Sequence, residues 1–244
     1  MTVGQSDSRT VGHRARTVIT AGALILAASP TVRLSGQVGY DPSHSPFRDV
    51  LRGTGVRFAT GYLGGGRGSV PVGLSGGPTF GVRFEASLSR VVSFTAGVTY
   101  GQTTRFIVFP YDSAAKRTKG PFDSHVVLTD LGMQISLTGA KTFHGLMPYV
   151  GGLFGLAFGQ DLRADTSGYR FGSKLTITPG VGVRWYPARR FSVQADARAV
   201  FWKLNYPITY KDLAADGSRV LTVPASESEW TTHSWISLGL GWTF

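Results

Sequence analysis

Residues 230–244 read Trp230-Thr231-Thr232-His233-Ser234-Trp235-Ile236-Ser237-Leu238-Gly239-Leu240-Gly241-Trp242-Thr243-Phe244, and their reading decides the fold. From Ile236 onward the even positions are Ile, Leu, Leu, Trp and Phe, whereas the odd positions are Ser, Gly, Gly and Thr. A two-residue period separates two faces only if the chain is a strand. Here one face is apolar and the other small or polar. Chain ends fray into water, so a terminus that finishes on its most apolar side chains asks for an apolar solvent around it.

Working outward, seven more runs alternate in the same way. Val56, Phe58, Thr60 and Tyr62 oppose Gly55, Arg57, Ala59 and Gly61. Phe80, Val82, Phe84, Ala86 and Leu88 oppose Gly81, Arg83, Glu85 and Ser87. A third run sets Phe94, Ala96, Val98 and Tyr100 against Ser93, Thr95, Gly97 and Thr99, and extends through Phe106 and Val108. A fourth sets Val127, Leu131, Met133 and Ile135 against Asp130, Gly132 and Gln134. The fifth has Val150, Phe154, Leu156 and Phe158 against Tyr149, Gly151 and Gly155. In the sixth, Phe171, Leu175, Ile177, Val181, Val183 and Trp185 oppose Lys174, Thr176, Gly180 and Arg184. In the seventh, Phe191, Val193, Ala195, Ala197, Ala199 and Phe201 oppose Ser192, Gln194, Asp196 and Arg198. With the terminal strand there are eight. Short connections at 89–91, 139–145 and 187–190 alternate with long ones at 63–79, 110–124, 160–170 and 205–229, the rhythm of an up-and-down membrane barrel.

Which face is buried decides the solvent, because a soluble barrel of the lipocalin kind turns its apolar face inward. The opposite face carries Arg57, Arg83, Glu85, Asp130, Lys174, Arg184, Asp196 and Arg198. Burying an unpaired charge costs several kcal/mol. If the apolar face meets lipid, the five cations and three anions share a polar lumen instead, and closure of the sheet satisfies every backbone group. The expectation is an all-β, eight-stranded antiparallel transmembrane barrel over residues 50–244, with Tyr62, Tyr100, Trp185, Trp242 and Phe244 at the two interfaces. The lumen should be filled by the eight charged side chains.

The remaining composition is consistent with export. The run 18–28, VITAGALILAA, follows Arg14 and Arg16 and is shorter than a membrane helix needs but suited to a signal-peptide core. Residues 1–29 read as a signal peptide, with cleavage up to 36, and 30–49 as a periplasmic lead-in in which Ser45 and Pro46 can cap a helical turn. No cysteine is present, which removes disulfides, thiolate metal sites and a lipoprotein anchor. A net charge of +11 suits an anionic partner, yet several of the cations lie in the signal or the lumen, and no aromatic-interleaved basic stretch supports nucleic acid. The cluster Lys116-Arg117-Thr118-Lys119 in the second long loop suits lipopolysaccharide phosphates or plain solvation. The stretch 64–68, GGGRG, lacks the lysine and helix of a phosphate loop and reads as a flexible tip. No cofactor or metal is implied.

The terminal pattern Ser237, Gly239, Trp242 and Phe244 resembles the C-terminal assembly signal of bacterial outer-membrane barrels. From about residue 49 onward the chain resembles the small OmpA/OmpX-type eight-stranded barrels in strand count, loop asymmetry and lumen charges. That resemblance implies insertion by the barrel-assembly machinery, contact with outer-membrane lipid and lipopolysaccharide, and a role as wall component, adhesin or surface-binding protein, with the extracellular ligand open. Some such barrels modify lipid A with a serine and histidine. Here the nearest pair, His233 and Ser234, is adjacent, so the two point to opposite faces and no catalytic residue is assigned. The alternatives kept open are a lipid A-modifying enzyme and a small-solute channel.

Overall fold

In this computed structural model the described residues are 45–244, without 52 and 223. The expected signal peptide and the lead-in up to residue 44 lie outside them. Ten strands form: β1 (Phe47–Asp49), β2 (Thr54–Leu63), β3 (Gly77–Ser87), β4 (Val92–Val108), β5 (Thr118–Ser136), β6 (Lys141–Phe143), β7 (Leu146–Gly159), β8 (Ser173–Trp185), β9 (Phe191–Asn205) and β10 (Ser228–Thr243). Eight of them close a ring in the order β2-β3-β4-β5-β7-β8-β9-β10, every neighbour antiparallel, with β10 returning to β2 through pairs such as Leu240 with Phe58. The fold is a closed up-and-down β-barrel. Closure leaves none of the eight ring strands with a free edge, which is what a lipid environment demands of a sheet.

The alternation sets the two faces. Phe58, Phe80, Val82, Leu131, Phe154, Val181, Ile236, Leu238 and Leu240 point outward and are exposed, while Arg57, Arg83, Asp130, Gln194 and Asp196 point inward and are buried. Trp185, Trp242 and Phe244 stand outward toward the short-turn end, and Tyr62 and Tyr100 toward the other. Amphipathic rings at both rims of an apolar belt are the girdles of a membrane barrel. The Tyr100 hydroxyl is hydrogen-bonded to His125 Nδ1 at 2.7 Å on that outer face.

Four expectations are corrected by the structure. Ser45 does not start a helical turn: its Oγ accepts the Phe47 N–H at 3.2 Å, and Phe47–Asp49 is a strand paired to Lys141–Phe143, inside the connection read as a plain turn. Val108 faces inward, not outward, because the register between β4 and β5 shifts between Arg105 and Ile107 and a bulge reverses parity. Phe171 is likewise inside, because β8 begins only at Ser173 and Gly172, with φ +60°, breaks the alternation. The second long connection, read as 110–124, is strand in its second half, since β5 already begins at Thr118.

The loops at that end also pack inward. Val70, Val72 and Leu74 of the first, Tyr169 and Phe171 of the third, and Tyr206, Tyr210 and Leu221 of the fourth join inward residues Val126, Leu128, Trp202 and Trp235 in one apolar core. The lumen is therefore stratified, polar toward the short turns and apolar beneath the long loops.

Candidate functional site in the lumen and beneath the long loops

The polar layer is built from inward positions of β2, β3, β5, β8 and β9. Glu85 is its hub. Arg57, on the neighbouring strand, grips the carboxylate with both terminal nitrogens, Nη2 donating to Oε2 at 2.9 Å. Arg184 reaches it from across the lumen, Nη2 donating to Oε1 at 3.0 Å. Arg184 also donates through Nε to Gln194 at 3.0 Å and through Nη2 to Gln134 at 2.9 Å. Arg83 makes a two-point contact with Asp130 at 2.6 and 3.0 Å. Such forked pairs are the strong form of a charge-assisted hydrogen bond.

Asp196 accepts from Arg198 at 3.0 Å, from Gln194 Nε2 at 2.8 Å and from the Tyr149 hydroxyl. Tyr149 gets its space from β8: a Cβ on Gly182 would sit 2.3 Å from the Tyr149 hydroxyl oxygen and 2.7 Å from the Ala195 carbonyl oxygen. The guanidinium of Arg198 lies over the Trp235 ring, 5.2 Å from its centroid. Seven of the eight charges singled out in the sequence thus meet in ion pairs. Lys174 is brought into none among the described residues; it is buried with its ammonium 5.9 Å from the Phe171 ring centroid. Two voids between these side chains have about 10 Å³ each.

His233 and Ser234 are not brought together. His233 points inward, with its ring against Trp202 at 3.9 Å between centroids and its Nδ1 3.0 Å from both the Gly66 N–H and the Gly64 carbonyl oxygen. Ser234 lies on the outer face. The glycine stretch is therefore docked on His233, where a flexible tip was expected. Glu229 anchors it further by accepting from the Ser69 N–H at 2.5 Å and from the Tyr206 hydroxyl.

The basic cluster is also divided. Arg117 is buried and donates to Ser218 Oγ, Lys119 pairs with Asp112 at 3.5 Å and lies over Phe109, and Lys116 stays exposed. The same loop is tied to the last one by Tyr111 donating to Asp212 at 3.0 Å and the Ala114 N–H donating to Asp216 at 2.8 Å. Hydrogen bonds from Ser218 and from the Ala114 N–H hold the Asp216 carboxyl down at about 2.

A second buried group was not reached from the sequence. Arg105, inward on the extension of β4, has its Nη1 2.7 Å from Asp165 Oδ2 in the 160–172 loop, with both side chains almost fully buried. Tyr169 lies under the guanidinium, 5.5 Å from ring centroid to Cζ. Burial pushes the Tyr169 phenol up, and pushes Tyr210 up to about 12, so both hydroxyls are protonated and available as donors. The apolar part of this region did leave a trace: Ala199, Val200, Phe201 and Trp202 are apolar on both parities, as a strand buried on both faces would be. The Arg105–Asp165 pair left none, because its members lie far apart in the chain and one sits in a loop.

Fold and surface together define a membrane-spanning eight-stranded β-barrel, a class that bacterial outer membranes hold. No protein-family model matches the chain, and no curated protein matches it. Solved structures of bacterial outer-membrane barrels do. Neisserial surface protein A is similar over 82% of this chain and 98% of its own, at 13% identity and a TM-score of 0.49. The N-terminal β-barrel domain of OprF from Pseudomonas aeruginosa is similar over 79% and 98%, at 15% identity and 0.45. The outer membrane protein OprG from the same organism is similar over 80% and 99%, at 9% identity and 0.47. The likeness is one of chain path and assigns no role.

Proposed function

We propose that the chain is an integral outer-membrane barrel with a lumen closed to solutes, whose long-loop end faces outward as a structural or surface-binding element of the envelope. The observation that carries this reading is the inversion of the soluble arrangement, apolar side chains outside and paired charges within. Voids of about 10 Å³ between those charges support closure, since each holds at most a single water. Residues 1–29, with cleavage up to 36, are the proposed export signal and 30–49 the periplasmic lead-in. Ser237, Gly239, Trp242 and Phe244 are the proposed signal for the barrel-assembly machinery, and the apolar belt meets lipid and, in the outer leaflet, lipopolysaccharide.

The non-enzymatic reading is favoured over lipid A modification because His233 and Ser234 occupy opposite faces, leaving no base beside that serine on the lipid side. Three measurements test the proposal. Migration in a detergent gel should shift on heating, and full solubility without detergent, with no shift, would overturn the barrel in lipid. Planar-bilayer recordings should show no large, stable conductance. Mass spectrometry of lipid A from cells with and without the protein should give the same acyl pattern, and a lost or gained chain would overturn the non-enzymatic reading.

A further inference from the structure

Beneath the long loops the usual accounting of buried polar groups does not close. Arg105 Nε, Nη1 and Nη2, Asp165 Oδ2 and the hydroxyls of Tyr169 and Tyr210 are all buried without a hydrogen-bond partner among the described residues. The 2.7 Å contact between Arg105 and Asp165 brings the charges together in a geometry that is not a hydrogen bond. Buried groups of this kind are nearly always satisfied, and leaving each one bare costs about 1–3 kcal/mol. A cleft of about 240 Å³ lies between the 160–172 loop and Arg105 of β4, its lining including Asp161, Arg163, Asp165, Tyr169 and Arg170.

We infer that this cleft binds the hydroxyl groups of a single saccharide unit, with Arg105, Asp165 and Tyr169 as its floor. The orphaned groups include donors and an acceptor side by side. An anion would satisfy the guanidinium but face the Asp165 carboxylate, whereas neighbouring hydroxyls both accept from Arg105 and donate to Asp165. The volume fits one such ring or a cluster of waters, so solvent alone is the rival occupant. At the rim Asp161 is already taken by Arg170 at 3.4 Å, which leaves Arg163 as the cation facing an arriving ligand.

The inference rests on the long-loop end being the binding end of a folded barrel, and the test separates the two. Purified protein in detergent micelles, wild type, Tyr169→Phe and Arg105→Lys, is first checked for the heat-modifiable gel shift and then titrated with galactose and, separately, with sodium sulfate by saturation-transfer NMR and calorimetry. The expected result is saturable galactose binding by the wild type, weakened roughly five- to tenfold in Tyr169→Phe, since one hydrogen bond is worth about 1 kcal/mol, with the shift retained. If Arg105→Lys fails to fold, Tyr169→Phe, which removes only the hydroxyl, still decides. Absence of saturable galactose binding by shifting wild-type protein would mean that the cleft holds water only and would overturn the inference. Binding of sulfate without galactose would overturn it in favour of an anion site, and galactose binding unchanged in Tyr169→Phe would move the sugar elsewhere.

Discussion

Arg184 on β8 spans the lumen to Glu85 on β3, Nη2 to Oε1 at 3.0 Å, and so ties together two strands that share no backbone hydrogen bond. Arg57 holds the same carboxylate from β2. One anion between two buried guanidiniums is a keystone for the polar layer. Removing one partner of a buried pair leaves an uncompensated charge, so Glu85→Ala should destabilise by about 3–5 kcal/mol if the layer is dry. Urea unfolding of the refolded protein in lipid vesicles reads this; a change below 1 kcal/mol would show that water screens the site.

The two faces of β9 offer a paired test. Val193 lies outward, opposite Leu240 on one side and Trp185 on the other, while Asp196 lies inward. Val193→Arg puts a charge on the lipid face and should destabilise, by about 2–4 kcal/mol if the position lies at the bilayer midplane and by less toward the short-turn rim. Asp196→Ala should cost about 3–5 kcal/mol through the bared Arg198. A silent Val193→Arg together with a stabilising Asp196→Leu would mean the faces are reversed.

Trp202 is completely buried between Phe171 and His233, in the core that joins the loops to the barrel wall. Trp202→Ala should cost about 3–5 kcal/mol, as large-to-small changes at buried aromatics do. The loss should fall on the long loops, whose residues make up much of this core. Limited proteolysis should therefore cut the 160–172 and 206–227 loops faster while the heat-modifiable shift persists.

Asp216 gives a pH dependence with a definite sign. Its carboxyl is held down at about 2, below the ordinary value of 3.8, so its contribution to loop docking is complete above the ordinary value and disappears as pH falls through about 2. Hydrogen exchange at the Ala114 amide should accelerate, relative to its intrinsic rate, only in that acid window. Asp216→Asn should flatten the response; equal protection at both ends would show that Asp216 does not hold the loop.

A period of two, read from Ile236 to Phe244 and repeated upstream, is enough to fix strand number, faces and solvent, because a strand's side chains must alternate and charged residues such as Arg83 and Asp130 must share whichever face avoids lipid. Parity also puts those charges in one lumen. It does not say that Glu85 takes both Arg57 and Arg184 while Lys174 takes no carboxylate, since partners across a lumen depend on height and reach, which only the register of β3 against β8 through the whole ring supplies. Local breaks of alternation were equally out of reach: a bulge at Arg105–Ile107 and a left-handed Gly172 turned Val108 and Phe171 inward. The inward packing of the long loops was decided by the tertiary structure alone. Loops such as 64–76 carry few apolar residues each and no period. Only where three of them converge over Trp202 and Trp235 do those residues bury one another and enclose Arg105, Asp165 and Tyr169.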